Sequence, residues 1–215
     1  MSSQEKEDLC RLLACLFSPP DRDLARQIER GLVHSFLQKW VSSLGGPSHL
    51  LEALRMDGEV DPIFDNLQDG YERLFSYLHG ESISLVESFY KPWTRDPHCA
   101  LPFSTERGLL MGDSAVHLLE VYRQCALDLP DEFRGCPDHL VLEMEFLSYL
   151  YNWGTDAQIK MFIEDHLDWI PLLGEEIRRF DPHPFYVSAF EVLDLFLKTE
   201  RERLEVGGNG KKIVH

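Results

Sequence analysis

The chain has 215 residues, 44% of them hydrophobic, and a formal net charge of −16 from 21 basic and 37 acidic side chains. That apolar content builds a sizeable core and excludes a disordered chain. The acidic excess opposes nucleic-acid binding, which rests on neutralising phosphates, and suits either plain solubility or a basic, arginine-bearing partner.

The first residues, MSSQEKEDLCRLLACLFSPPD, are acidic, with a short apolar run interrupted by Arg11. This is not the pattern of a secretion signal. No run of about 18 apolar residues exists to span a membrane, so a cytoplasmic protein without stable membrane insertion is expected. Five cysteines, an odd number with no CxxC spacing, predict neither a disulfide framework nor a zinc ribbon.

Nearly every segment has helical period. Leu9, Leu12, Leu13, Leu16 and Phe17 form one face of a first helix, stopped at Ser18-Pro19-Pro20. Asp21 starts a second, with Leu24, Ile28 and Leu32 inward. VHSFLQKWVSSLGG continues as a helix to its paired glycines, and PSHLLEAL is a short one. A long helix carries Ile63, Leu67, Tyr71, Leu74, Phe75 and Leu78, with Asp61 as cap and Pro62 at its first position. Residues 81–104, punctuated by Pro92, Pro97 and Pro102, form a long loop of the kind that serves function. Helix resumes after Thr105 as cap, and PDEFRGC makes a turn. Two further pieces surround Pro171, the first capped by Thr155, and PHPFYVSAFEVLDLFLKTERERL is the last. The result is an all-α fold: one globular domain over residues 1–205, of about nine or ten helices, and a Gly-rich polar tail, 206–215, expected to be disordered. GGNGKK in that tail lacks the flanking strand and helix of a phosphate loop. No βαβ rhythm is present, which removes the nucleotide-binding α/β classes.

Two stretches hold candidate chemistry. In GCPDHLVLEMEFLSYL the helix is apolar nearly all round, with only Glu145, Ser148 and Asn152 on a solvated strip. His139 and Glu143 lie four apart on an apolar sector, where a hydrogen bond between them would satisfy both. Asp138 stands where a carboxylate caps the helix. The trio is open to capping, catalysis, metal binding or partner recognition. No nucleophile or oxyanion motif is nearby, and one HxxxE pair supplies only two ligands, so neither catalytic residues nor a metal are expected. In ESFYKPWT, the rings of Phe89, Tyr90 and Trp93 with Pro92 stand beside Glu87. They can pin the loop to the core, or hold an apolar peptide while a carboxylate meets its arginine.

These landmarks together resemble the TorD/DmsD/NarJ family of redox-enzyme maturation chaperones, and its TorD/DmsD branch above all. PDHLVLEMEFLSYL is similar to the family's PDHL…ExEF signature, MFIEDHLDWIPLLGEEIRR to its HLxxWxP segment, and HPFYVSAFEVLDLFL to its closing helix. LCRLLACLFSPPD, YERLF and ESFYKPW fall in the expected order. The resemblance implies a helical chaperone without enzymatic turnover and without a cofactor of its own. Its partners would be the N-terminal leader, commonly twin-arginine, and the apo form of a molybdopterin-containing oxidoreductase. It implies leader recognition by Asp138 and His139, with Tyr90, Pro92, Trp93 and Glu87 matching more loosely and Glu143 as structural support. Relatives are monomers or homodimers. Two alternatives accompany this reading: a NarJ-like assembly chaperone for a subunit that is not exported, and a protein that handles a cofactor or nucleotide.

Overall fold

The computed structural model describes residues 1–76, 82–180 and 183–209. Among these residues it is all helical, with ten α-helices, two 3₁₀ segments and no strand. The expected contribution of Leu78 and the tail from residue 210 onward lie outside the described residues. The chain divides into two compact units, one of Met1–Ala14 and Ser84–Leu173, the other of Cys15–Ile83 and Gly174–His215. α1, Ser3–Phe17, and α9, Ile170–Arg179, each contribute residues to both.

The second unit contains α2 (Arg22–Glu29), α3 (Leu32–Ser43), a 3₁₀ segment (Ser48–Leu54), α4 (Val60–Phe75) and α10 (Pro184–Asn209). α2 packs on α3 and α4, and α10 on the 3₁₀ segment and α4. Asp21 caps α2 as expected, its carboxylate accepting from Leu24 N at 2.7 Å. The start of α4 differs: the cap is Glu59, so Asp61 and Pro62 lie inside the first turn, where proline has no bond to lose. The rings of Phe17, Tyr71, Phe75 and Tyr186 meet edge to face, and the Tyr186 hydroxyl donates to Leu67 O at 3.0 Å. α10 continues to Asn209, so residues 206–209 of the expected tail belong to its last turn.

The first unit holds α5 (Glu87–Tyr90), α6 (Asp113–Gln124), α7 (Leu140–Trp153) and α8 (Asp156–His166). α7 packs on α8, and α5 on α6. Leu140, Met144 and Leu147 of α7 are fully buried, and Phe146 meets the rings of Tyr122 and Phe162. Ser148 departs from the expected solvated strip: it is buried, its hydroxyl accepting from Arg11 Nε at 3.2 Å. Thr155 caps α8 in a capping box with Gln158. Thr105 caps nothing, because α6 starts eight residues later, after Gly112.

The loop between α5 and α6 is tied along its length. Trp93 N donates to Glu106 O, Thr94 N to Ser104 O and Gly108 N to Phe89 O, each at 2.9 Å, and Asp113 N donates to Trp93 O at 2.8 Å. Gly112 lets the chain close here, since a Cβ on it would lie 2.7 Å from the Trp93 carbonyl oxygen. Gly112→Ala therefore forces backbone apart. A loss of about 1–3 kcal/mol in urea unfolding, with faster proteolysis between residues 91 and 112, is the expected outcome.

Candidate functional site

The helix α7 begins by gripping the segment before α5. Val86 and His139 form an isolated antiparallel bridge. Glu87 N donates to Asp138 O at 2.9 Å and Leu140 N to Leu85 O at 2.8 Å. The Asp138 carboxylate accepts from Ser88 N at 2.7 Å. Two landmarks 50 residues apart in sequence thus form one site.

Asp138 does not cap α7. The cap is His139, whose Nδ1 accepts from Val141 N at 3.2 Å, with its ring against Phe133. Nor do His139 and Glu143 hydrogen-bond through their side chains, as their spacing suggests. Glu143 Oε2 instead accepts from Trp169 Nε1 at 3.1 Å. A backbone N–H and an indole N–H supply the partners that the helix-local pairing would have supplied.

Asp138, Glu143 and Glu87 are all fully buried. Glu87 is matched on both oxygens. Lys91 Nζ pairs with Oε1, and His166 Nδ1 lies 2.9 Å from Oε2. Lys91 also meets Asp168 at 2.5 Å and donates to Asp165 O at 2.7 Å. On its far side, His166 Nε2 lies 2.7 Å from His117 Nδ1, the two rings stacked. The network thus runs from α5 and the residue after it through α8 and the turn beyond it to α6.

Electrostatics follow from burial and charge. Burial alone would raise the Glu87 carboxyl, but the His166 and Lys91 contacts hold it below its ordinary value. Burial alone would lower Lys91, and Glu87 and Asp168 raise it. Glu143 is pushed well above the carboxylate range by burial, then by the charges of Glu87 and Asp138. Asp138 is raised by burial, against the hydrogen bonds of Ser88. Burial depresses His139 to about 4.

The remaining expected residues divide. Tyr90 is buried, stacked on Trp169 at 5.0 Å with its hydroxyl donating to Ser84 O at 2.8 Å. Pro92 and Trp93 are half-buried, and Trp93 meets Phe103 edge to face at 5.1 Å. Phe103 is exposed, as are Leu101 and Leu110 of the same loop. Sequence reasoning passed over His166, Trp169, Lys91 and His117. The first two stand in HLDW, one residue shorter than the HLxxW pattern it resembles, and Lys91 in FYKPW, so a motif signal existed for them; His117 has none. His139 and Glu143 do not form a ligand pair, but a different set of side chains converges on Glu143. Glu87, Glu143 and His166, from three helices, bring one ligand atom each to within 4.8 Å of one another.

A match to known proteins follows this geometry. The family described as nitrate reductase delta subunit matches residues 48–175. Over 167 residues the chain is 22% identical to the chaperone protein TorD of Vibrio parahaemolyticus, covering 70% of this chain and 77% of that protein. Over 173 residues it is 24% identical to the chaperone protein TorD of Vibrio atlanticus, covering 72% and 79%. A crystal structure from Archaeoglobus fulgidus, described as a candidate redox enzyme maturation protein, aligns over 93% of both chains at 20% identity with a TM-score of 0.52, which shows the shared fold. The chain belongs to the NarJ/TorD family of redox-enzyme maturation chaperones. Among the described residues no helix is long and apolar enough to cross a membrane.

Two outcomes test the network. Lys91→Met leaves the buried Glu87 short of a cation and should cost about 3–5 kcal/mol in urea unfolding. Adding Glu87→Gln should recover part of that loss, a coupling read by the double-mutant cycle. For His139, the depressed ionisation means the unfolded chain binds a proton that the folded chain refuses. Its contribution is full above pH ~6.5 and is lost as pH falls toward 4. The melting temperature of the wild type should therefore fall relative to His139→Gln across that window.

Proposed function

We propose that the protein is a chaperone that binds the N-terminal leader of a molybdenum-containing oxidoreductase subunit and holds it through assembly and cofactor insertion before export. Family membership supports the chaperone role. The observation that supports leader binding is the joining of the Pro-Asp-His segment to ESFYKPW by the Val86–His139 bridge and the Asp138–Ser88 bond.

In this reading the leader's apolar stretch lies on Trp93 and the exposed Leu101, Phe103 and Leu110 of the α5–α6 loop. Rings and aliphatic chains there offer burial and cation–π contact. Asp138 and His139 set the position of that loop from beneath, and Tyr90 anchors it on Trp169. Glu87 is committed to Lys91 and His166, so it supports the wall instead of pairing with a leader arginine. The leader's arginines are met by exposed carboxylates of an acidic surface: Asp96 and Glu106 lie in the loop, Asp131 and Glu132 before α7. The chaperone works in the cytoplasm and does no chemistry of its own.

A second reading, a NarJ-like assembly chaperone whose client is not exported, is compatible with a family described as nitrate reductase delta subunit. Calorimetric titration with the leader of a molybdoenzyme subunit, natural and with its paired arginines changed to glutamine, separates the two. An exported-client chaperone should bind the natural leader at micromolar affinity or tighter, about tenfold more weakly at 500 mM than at 50 mM salt. Trp93→Ala should weaken binding by about tenfold with unchanged helix content. Equal binding of both leaders would favour the non-exported client, and no binding to any leader would overturn leader recognition.

A further inference from the structure

The Glu87–Glu143–His166 cluster brings two fully buried carboxyl groups together, one of them paired with the ammonium of Lys91. Asp168, the other carboxylate that Lys91 meets, is partly exposed. Lys91 is shared between Glu87 and Asp168. Glu143 receives Trp169 on Oε2, while its buried Oε1 has no donor and its carboxyl lies within reach of the Glu87 carboxyl. A third fully buried carboxylate, Asp138, is close enough to act on Glu143 electrostatically. Two carboxyl groups facing each other in a buried site are held together by a shared proton or by a cation between them.

We propose that Glu87, Glu143 and His166 form a binding site for one divalent first-row transition ion of the zinc class. One imidazole nitrogen and two carboxylate oxygens are the donor types that such ions take in three-ligand sites that leave a fourth position open. The three ligand atoms already lie within 4.8 Å of one another. A tetrahedral ion with bonds of about 2.1 Å needs about 3.4 Å between ligands, which side-chain rotation of roughly an ångström supplies.

The surroundings fit such a site. His166 presents Nδ1 to the carboxylates, 2.9 Å from Glu87 Oε2, and its other nitrogen, Nε2, lies 2.7 Å from His117 Nδ1. In the tautomer that leaves Nδ1 free for a metal, Nε2–H donates to His117, the outer partner that metal-bound histidines use to fix their orientation. Trp169 Nε1 holds the far oxygen of Glu143, and Lys91 the far oxygen of Glu87. A cavity of about 180 Å³, lined by His117, His166, Phe146, Phe162 and Met161 among others, reaches the imidazole pair, with Glu87 and Glu143 outside its lining. This inference stands apart from leader binding: it concerns the buried face of the network, and its test involves no peptide.

The full chain, stripped with a chelator, is titrated with Co²⁺ in the presence of a thiol-free reductant. Visible d–d absorption and quenching of tryptophan fluorescence are followed, and Zn²⁺ competition gives its affinity. One equivalent is expected, with Zn²⁺ bound at micromolar affinity or tighter and no sulfur-to-metal charge-transfer band. Glu143→Gln and His166→Gln should each weaken binding at least a hundredfold, and His117→Gln about tenfold. Cys125→Ser, which changes a thiol lining the cavity, should leave affinity and spectrum unchanged. Circular dichroism of each metal-free variant checks that it is folded, and Glu143→Gln, nearly the same size as the original, serves if His166→Gln fails that check. Absence of a stoichiometric site would overturn the proposal and leave a proton shared by the two carboxylates. So would binding untouched by Glu143→Gln, or binding abolished by Cys125→Ser.

Discussion

Glu87 is the group on which the first unit is organised. A carboxylate with no exposure is tolerable only when its charge is met on the spot, and here it is met twice, by Lys91 one turn along and by His166 from α8. Each partner then recruits its own. Lys91 draws in Asp168 and the carbonyl of Asp165, and His166 draws in His117. Removing water from one charge in this way commits residues of α5, α6 and α8 to a single arrangement, and the loop that leaves Lys91 starts from a fixed point.

That loop shows how a rigid interior serves an exposed surface. Residues 91–112 have almost no helix, yet their backbone bonds close on one another and on the start of α6. Tyr90 at one end is buried and stacked on Trp169, while Leu101, Phe103 and Leu110 further on remain exposed. An irregular segment can display apolar side chains reproducibly only if its backbone polar groups are satisfied, since free ones would compete for water and loosen it. Tyr90 and Asp138, which hold the start of this segment, stand in the two stretches that the sequence marks as unusual, and both are engaged in packing and hydrogen bonds.

Helix boundaries illustrate which inferences were local. Asp21 and Thr155 cap their helices as their type and position imply, because a side-chain oxygen and an N–H two or three residues on need no distant partner. Asp61 and Thr105 have the right chemistry and do not cap, because the helices begin at Val60 and Asp113, where the surrounding chain places them. Ser148 was legible as polar but not as buried, since its donor, Arg11, is 137 residues away.

The amino-acid sequence by itself determined the helical class, through its 3.6-residue apolar period, and the family, through the resemblance of its PDHL and closing-helix stretches. It also marked Asp138, His139, Glu143, Glu87 and Tyr90 as out of the ordinary. What each of them does was decided only by tertiary structure. The i, i+4 spacing of His139 and Glu143 permits a mutual hydrogen bond, but Val141 N and Trp169 Nε1 compete for the same side chains. Glu87, placed by the sequence beside aromatic rings as a carboxylate for a partner's arginine, is buried, and His166, 79 residues on, arrives to match it. Hydrogen bonds and ion pairs are short-ranged in space and indifferent to separation along the chain. Periodicity can therefore say which side chains face inward, and only the packed helices say which of them meet.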